Sequence, residues 1–438
     1  MKRKIVRSAW YVVSKSFPLF LILALLLTAS CTRNRETETS DAAATQIAPA
    51  TETQAGSNEA QNPPEPLPTS GKITLWHSWA EADGDALSAI LDAFKQQYPA
   101  VEVQTLYVAY NDLPQSYSDA VIAGGGPDVM MSANWWLSDL VKAGVVLPLD
   151  DRLNSDEIAD YWPAATDTLR RNGALYGLPT NFETVALFYN RSLIDDAKLP
   201  KSTDDLLKLA QEAGTQGIGL YANLYHLYWG IPAYGSQFID GNGKIVLDQS
   251  QGASQLLTWI NSLHNTPGSY VDIDYGMLLD RFKKQEFAFF VDGPWAIGEL
   301  KAALGDNLGV TLLPAGPDAP AQPWLSADGI FLNPKADAKQ QQLALLFARF
   351  VTSAESGATL AAKAQRLPAN RKTEIANNPL LSSFLQQAAN ASAIDTRPEM
   401  DNVWGYGGDM IAKVLNGVSE PAAAVKEATA LINEVNGK

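Results

Sequence analysis

Cysteine is almost missing from this chain: Cys31 is the single one in 438 residues. Disulfides, cysteine metal ligands and thiol nucleophiles are therefore excluded from everything that follows it. Histidine is nearly as scarce. His77, His226 and His264 are the three present, and no two stand at a metal-ligand interval. A zinc site is not expected from them. Positive charge is also short, with 33 Lys and Arg against 48 Asp and Glu and a net charge of −15. An acidic chain repels nucleic acid and anionic lipid heads, so neither is expected as a partner. The glycine run Gly124-Gly125-Gly126-Pro127-Asp128 has no Lys-Ser/Thr after it and precedes a strand, not a helix. It reads as a structural turn, because a phosphate cradle needs a helix N-terminus behind its glycines. No cofactor is expected.

What is present begins with an address. Lys2, Arg3, Lys4, Arg7 and Lys15 make a positive n-region, Phe17 to Leu27 an apolar h-region, and Thr28-Ala29-Ser30 a small-residue site before Cys31. The apolar stretch is shorter than the roughly 20 residues of a spanning helix. Residues 1–30 are read as a signal peptide. A cysteine at the cut resembles a bacterial lipobox, with Cys31 the acylated first residue; Thr28 stands where an aliphatic residue is usual. From Thr32 to about Ser70 the chain is Thr, Glu, Ala, Ser, Asn, Gln and Pro. Such a segment cannot bury enough apolar surface to order itself. Residues 31–71 are read as a lipidated cysteine and a flexible tether, with a reach on the order of 35 Å.

From about Gly71 the composition turns globular. The stretch to Lys438 exceeds the ~250–300 residues at which one hydrophobic core stops growing, so two lobes are expected. Ile73–Trp76 reads as a strand, and Leu87, Ile90, Leu91, Phe94 and Tyr98 as a helical face. Val101, Val103 and Thr105 alternate as a second strand. Leu113, Tyr117, Ala120 and Val121 form the next helix, Asp128–Met131 the next strand, and Leu137, Leu140 and Val141 a helix closed by Gly144. Leu187-Phe188-Tyr189 is strand-like. Ser202 and Asp205 suit a capping box ahead of Leu206, Leu207, Leu209 and Ala210. Leu256, Leu257, Ile260 and Leu263 mark another helix, which Asp248 is placed to cap. From Ala338 onward the pattern is mostly helical. Alternating strands and helices imply an α/β fold with a mostly parallel sheet.

Tryptophans gather just past predicted strand ends. Trp79 follows Ile73–Trp76, Trp135 and Trp136 follow Asp128–Met131, and Trp295 follows Phe287–Val291 in the turn Asp292-Gly293-Pro294. Open α/β sheets bind ligands beyond the carboxyl ends of their strands. Half-wet indoles there suit a sugar, whose C–H faces stack while its hydroxyls seek hydrogen bonds. The same rings also suit a core that caps the sheet. Pro294 fits the first position of a helix, placing Trp295 on its first turn. Glu183 can accept two hydroxyl hydrogens, or stand as a surface glutamate. Tyr225, His226, Tyr228, Trp229 and Tyr234 form the densest aromatic cluster, some of it core. Trp404 and Tyr406 lie in a Gly-rich stretch before a helix, each open to packing or binding.

These residues resemble a family, the extracellular solute-binding proteins of carbohydrate-uptake ABC transporters, and among them the maltose/maltodextrin-binding proteins. The resemblance rests on Ile73-Thr74-Leu75-Trp76-His77-Ser78-Trp79, Gly126-Pro127-Asp128-Val129, Tyr176-Gly177-Leu178-Pro179, Leu187-Phe188-Tyr189-Asn190, Asp292-Gly293-Pro294-Trp295 and Gly309–Pro314. It implies a type II periplasmic-binding-protein-like fold, two α/β lobes clamping a ligand, with crossings near Asn181–Thr184, Trp324–Gly329 and Leu367–Asn370. Lobe I would be 72–181 plus about 327–368, and lobe II about 184–324 plus about 371–438. It implies sugar contacts from Trp79 or Glu81, from Asn134 with Trp135 or Trp136, and from Glu183, Tyr225, Tyr228, Trp229, Trp295 and Trp404. The chain departs from the family where an Asp-Arg or Asp-Lys pair is frequent, carrying Asn134-Trp135-Trp136 instead, and it has Gly408 where an arginine can occur.

The expected function is capture of an oligosaccharide outside the cytoplasmic membrane and delivery to a permease. The chain would be a monomer held to the membrane by lipid alone. A glycoside hydrolase would need two carboxyls about 5–10 Å apart. Asp83, Asp85, Glu183, Asp292, Asp328 and Asp401 supply carboxyls, but no motif pairs them, so no catalytic residue is assigned. A third alternative keeps the fold and binds a polyamine, a metal complex or a peptide.

Overall fold

Alternation makes the first strand. Ile73, Leu75 and His77 are buried while Thr74 and Trp76 between them are half-buried, the period of two that a pleated strand imposes. The helix that follows, α1 (Glu81–Gln97), buries Ala86, Leu87, Ile90 and Phe94, spaced to lie on one face. The computed structural model describes residues 68–213, 217–375 and 378–438. The leader, Cys31 and nearly all of the tether lie outside the described residues.

In chain order the strands are β1 (Gly71–His77), β2 (Val101–Tyr107), β3 (Val129–Ala133), β4 (Arg170–Arg171), β5 (Ala174–Leu175), β6 (Gly177–Glu183), β7 (Ala186–Asn190), β8 (Ile218–Tyr221), β9 (Tyr270–Asp272), β10 (Phe289–Asp292), β11 (Leu308–Thr311), β12 (Trp324–Leu332), β13 (Leu367–Pro368) and β14 (Ser392–Ala393). One sheet runs β13-β6-β12-β3-β1-β2, with β14 added alongside β12. A second runs β11-β7-β10-β8-β9, and β4 and β5 form a small hairpin. The pairs β1–β2, β1–β3, β8–β9 and β8–β10 are parallel, as the alternating strand and helix pattern predicts. Around the long strand β12 the pairing turns antiparallel, with β3 on one side and β6 on the other.

The second sheet is buried on both faces. Phe290 and Phe188 pack into one hydrophobic core, while their chain neighbours Phe289, Val291, Leu187 and Tyr189 pack into the other. Continuous apolar runs are what such strands require. Between the sheets the chain passes from β6 to β7 within three residues, and returns along β12 and near β13. The register of β12 against β6 shifts between Asp328 and Gly329, an irregularity that re-aims side chains at this crossing.

Local signals read from sequence hold at several points. Gly144 takes a φ of +68° after the helix Leu137–Lys142, the left-handed turn that glycine adopts without Cβ strain. Ser202 Oγ accepts from the Asp205 N–H at 3.1 Å and Asp205 Oδ2 accepts from the Ser202 N–H at 3.0 Å, a reciprocal capping box. The glycine turn is structural: Gly124 and Gly126 have φ of +85° and +87°, and Asp128 Oδ2 accepts from the backbone N–H and hydroxyl of Thr74, both at 2.7 Å. Asp248 is a correction. It lies in a short 3-10 turn, and the helix Gly252–His264 starts beyond it with Gln251 at its N-cap. Ser236 Oγ accepts from the Ala253 N–H at 2.8 Å instead, so a distant turn satisfies the exposed donor.

Candidate functional site

The predicted turns do follow carboxyl ends of strands. Trp79 comes two residues after β1, Asn134–Trp136 form a 3-10 turn directly after β3, and Pro294–Ala296 another after β10. The ends of β1 and β3, together with the crossings at Glu183 and Ser326–Asp328, enclose a cavity of about 220 Å³. Its lining includes Trp79, Tyr110, Asn134 and Trp135 as well as Asp83, Glu183, Asp328 and Arg366. A neighbouring groove of about 450 Å³ runs between Glu81–Asp83, Pro294-Trp295 and Lys363–Arg366. Asp83 and Arg366 border both.

Three tryptophans keep a wet face. Trp135, Trp295 and Trp404 are each 39 % exposed, an unusual state for so large a ring. The edges of Trp135 and Trp404 meet at 6.1 Å between centroids and 76°. Trp404 in turn stands edge-on to Trp324, at 5.8 Å, and Trp324 is stacked on Tyr228 at 3.8 Å. Trp295 leans on Tyr225 at 6.2 Å and on His226 at 5.9 Å. The turn beneath Trp295 is tied by Asp292, which is fully buried. Its Oδ2 accepts from the Tyr275 hydroxyl at 2.9 Å, and its Oδ1 accepts from the Gly293 N–H at 2.8 Å and lies 3.3 Å from His226 Nε2. The Asn223 side chain, 2.9 Å from His226 Nδ1, fixes the other side of that ring.

The polar floor is charged. Arg366 donates from Nε to Asp83 Oδ1 at 2.9 Å and from Nη2 to Asp83 Oδ2 at 2.6 Å, a bidentate pair. Its Nη1 donates to Glu183 Oε1. Desolvation raises the Glu183 carboxyl above the usual carboxylate range, and the Arg366 guanidinium offsets only part of that rise. Burial likewise raises Asp328, against the pull of Arg366 and the Asn181 amide 3.2 Å away. Asn134 is fully buried; its Oδ1 accepts from the Ala327 N–H at 3.3 Å, while its Nδ2 has no hydrogen-bond partner among the described residues. Ser132 Oγ is buried in the same state. Unpaired buried donors of this kind ask for an outside partner.

The sequence-derived candidates therefore separate. Trp79, Asn134, Trp135 and Glu183 line the cavity, and Glu81 and Trp295 line the groove. Tyr225 stands behind Trp295, and Trp404 against Trp135. Trp229 is a correction: it is fully buried and packs edge-on against Trp259, where no solute reaches it. Tyr228 is another, a buried ring beneath Trp324. Trp136 turns to Tyr110, at 4.8 Å, and Tyr406 packs half-buried on the second core. Sequence reasoning missed Arg366, Tyr110 and Ser132, all of which line the cavity. For Arg366 one signal was available, a basic residue immediately before the crossing at Leu367.

No helix among the described residues is long and apolar enough to cross a membrane. Residues 78–358 match the family model of bacterial extracellular solute-binding proteins. A maltotriose-binding protein of Pyrococcus abyssi is 25 % identical over 351 residues, covering 77 % of this chain and 76 % of that one. A galactooligosaccharide-binding protein of Bacillus subtilis is 24 % identical over 380 residues, covering 82 % and 87 %. Among solved structures, an extracellular solute-binding protein of Staphylococcus aureus in complex with maltose superposes with a TM-score of 0.75 at 22 % identity, covering 84 % of this chain and 98 % of that one. The fold is thus the type II periplasmic-binding-protein architecture that the sequence led us to expect. The chain belongs to the bacterial extracellular solute-binding protein family.

Proposed function

We propose that this chain is the solute-binding component of an ABC transporter and that its solute is an oligosaccharide of the maltodextrin class. The observation that carries the reading is the pairing of part-exposed indoles with a polar floor. Trp135, Trp295 and Trp404 offer flat apolar faces, and Glu183 and Asn134 offer hydrogen-bond partners within the same region. Neutral rings with polar edges match both at once. Relatives named for maltotriose and for maltooligosaccharide support the class.

In this reading the two sheets belong to lobes that open and close about the crossings at Glu183, Ser326–Asp328 and Leu367. Solute bridging the lobes favours the closed form by its extra affinity for that form. The closed face then meets a permease. Cys31 anchors the chain by lipid on the outer side of the cytoplasmic membrane, and the tether lets a monomer reach its transporter.

Thermal unfolding in the presence of maltose, maltotriose, maltotetraose, galactooligosaccharides and polyamines tests the proposal. A solute at 100 times its dissociation constant stabilises by about 2.7 kcal/mol. Stabilisation by α-glucans alone is the expected result. Stabilisation by polyamines and by no saccharide refutes it, and any turnover of maltodextrin on chromatography refutes the assignment as a binding protein.

A further inference from the structure

Three carboxylates and one guanidinium meet at the cavity: Asp83 from α1, Glu183 from the end of β6, Asp328 from β12 and Arg366 from the residue before β13. The family resemblance assigned a role to Glu183 and none to Arg366. Arg366 spends both arms of its fork and its Nε on carboxylates, two bonds to Asp83 and one to Glu183 Oε1. That leaves Glu183 with a second oxygen, Oε2, for another donor. Ser132 Oγ and Asn134 Nδ2, buried and without partners among the described residues, line the same cavity. A site with both an open acceptor and unpaired donors fits a polyol better than a cation or an anion.

We propose that Arg366 is a positioning residue for solute capture, anchored by Asp83 and fixing the Glu183 carboxyl group so that Oε2 is presented to the solute's hydroxyl groups. This rests on the saccharide reading above. A bidentate arginine is a rigid support, since its planar fork fixes both its own orientation and that of its partner. The Asp83 pair therefore acts as a brace, and Nη1 as the contact that sets Glu183. The border that Asp83 and Arg366 form between cavity and groove follows from the same brace.

The charged and titratable groups facing Glu183 are Arg366, Asp328 and Asp83, with the phenols of Tyr110 and Tyr225. Burial raises both phenols, so they stay protonated across the working range. Glu81 and Lys363 line the groove on the far side of the brace. Desolvation and the neighbouring Asp328 and Asp83 raise Glu183, and Arg366 is the group that opposes them. Without Arg366, Glu183 takes up its proton at a higher pH and loses an acceptor.

The test uses the full chain with glutamate labelled at the side-chain carboxyl carbon, titrated by NMR without solute. The Glu183 resonance is the one missing from Glu183→Gln. Its midpoint rises in Arg366→Gln and stays near wild type in Arg366→Lys. Calorimetry with maltotriose then compares about pH 8 with about pH 5: Arg366→Gln loses affinity about tenfold or more on acidification beyond any wild-type change, Glu183→Gln is flat, and Arg366→Lys is weaker at every pH with a wild-type profile. An unchanged Glu183 midpoint in Arg366→Gln overturns the proposal, as does a pH profile parallel to wild type. Should Arg366→Gln not fold, Arg366→Met, which keeps the apolar stem and removes the charge, takes its place: a raised Glu183 midpoint supports the proposal and an unchanged one overturns it. A wild-type chain that ignores maltotriose counts against the maltodextrin reading, while the solute-free titration still decides the role of Arg366.

Discussion

On the proposed reading, replacing Trp295 with alanine removes a plate that meets the solute in the groove. The size of the effect follows from its exposure. The residue is 39 % exposed, and a tryptophan offers surface near the top of the range of about 150–250 Å². Roughly 90 Å² thus awaits cover, which at about 25 cal/mol per Å² contributes about 2 kcal/mol on binding. Contact with the ring face adds up to about 1 kcal/mol. Affinity should fall by about 30- to 150-fold. The buried part of the ring leans on Tyr225 and His226, so the melting temperature of the solute-free protein should fall as well. Isothermal titration with maltotriose reads the first effect and thermal unfolding the second. Trp295→Phe keeps a smaller plate and should sit between. A folded Trp295→Ala protein whose affinity shifts by less than about threefold would show that the exposed face of the indole does not touch solute.

Further outcomes test other parts of the structure. Trp229→Ala should cost about 3–5 kcal/mol of stability through the cavity it leaves, measured by denaturant unfolding, with solute affinity in the folded protein unchanged. Gly293→Ala should disturb the plate from below, because its new Cβ would stand 2.1 Å from the Trp295 ring; affinity should fall at least about fivefold, with the turn still formed. Asp328→Asn should raise the melting temperature more at neutral pH than in acid. Burial raises the Asp328 carboxyl, so the unfolded state releases its proton first and wild-type stability falls as pH climbs through the folded value. An equal shift of the melting temperature at both pH values would contradict that sign.

The sequence was most legible where one segment carries its own signal. Ile73 and Leu75 alternate, Leu87, Ile90 and Phe94 repeat at helical spacing, and Ser202 and Asp205 close a cap between near neighbours. The tryptophan turns were readable for the same reason, since a strand and the residue beyond it are contiguous. The aromatic cluster was not. Tyr225, Tyr228 and Trp229 sit around the end of a single helical turn, Leu224–Leu227, too short for periodicity to choose an inner face. Asp248 lost its capping role to Ser236, which a separate turn brings in. The charged floor lay furthest from view. Residues 83, 183, 328 and 366 come from four segments, and their convergence is a product of the crossings between sheets.

Asp292 carries a consequence for how fast and how discriminatingly solute is taken up. Its carboxylate is committed to Tyr275, Gly293 and His226 before any guest arrives. The turn that carries the indole is accordingly fixed in advance, and on the proposed reading docking against it demands little loss of backbone freedom. Whatever ordering remains falls on the guest's own glycosidic torsions. Longer, floppier chains would then gain less per added ring than stiff ones, and a rigid cyclic glucan of matching curvature would outbind its linear counterpart.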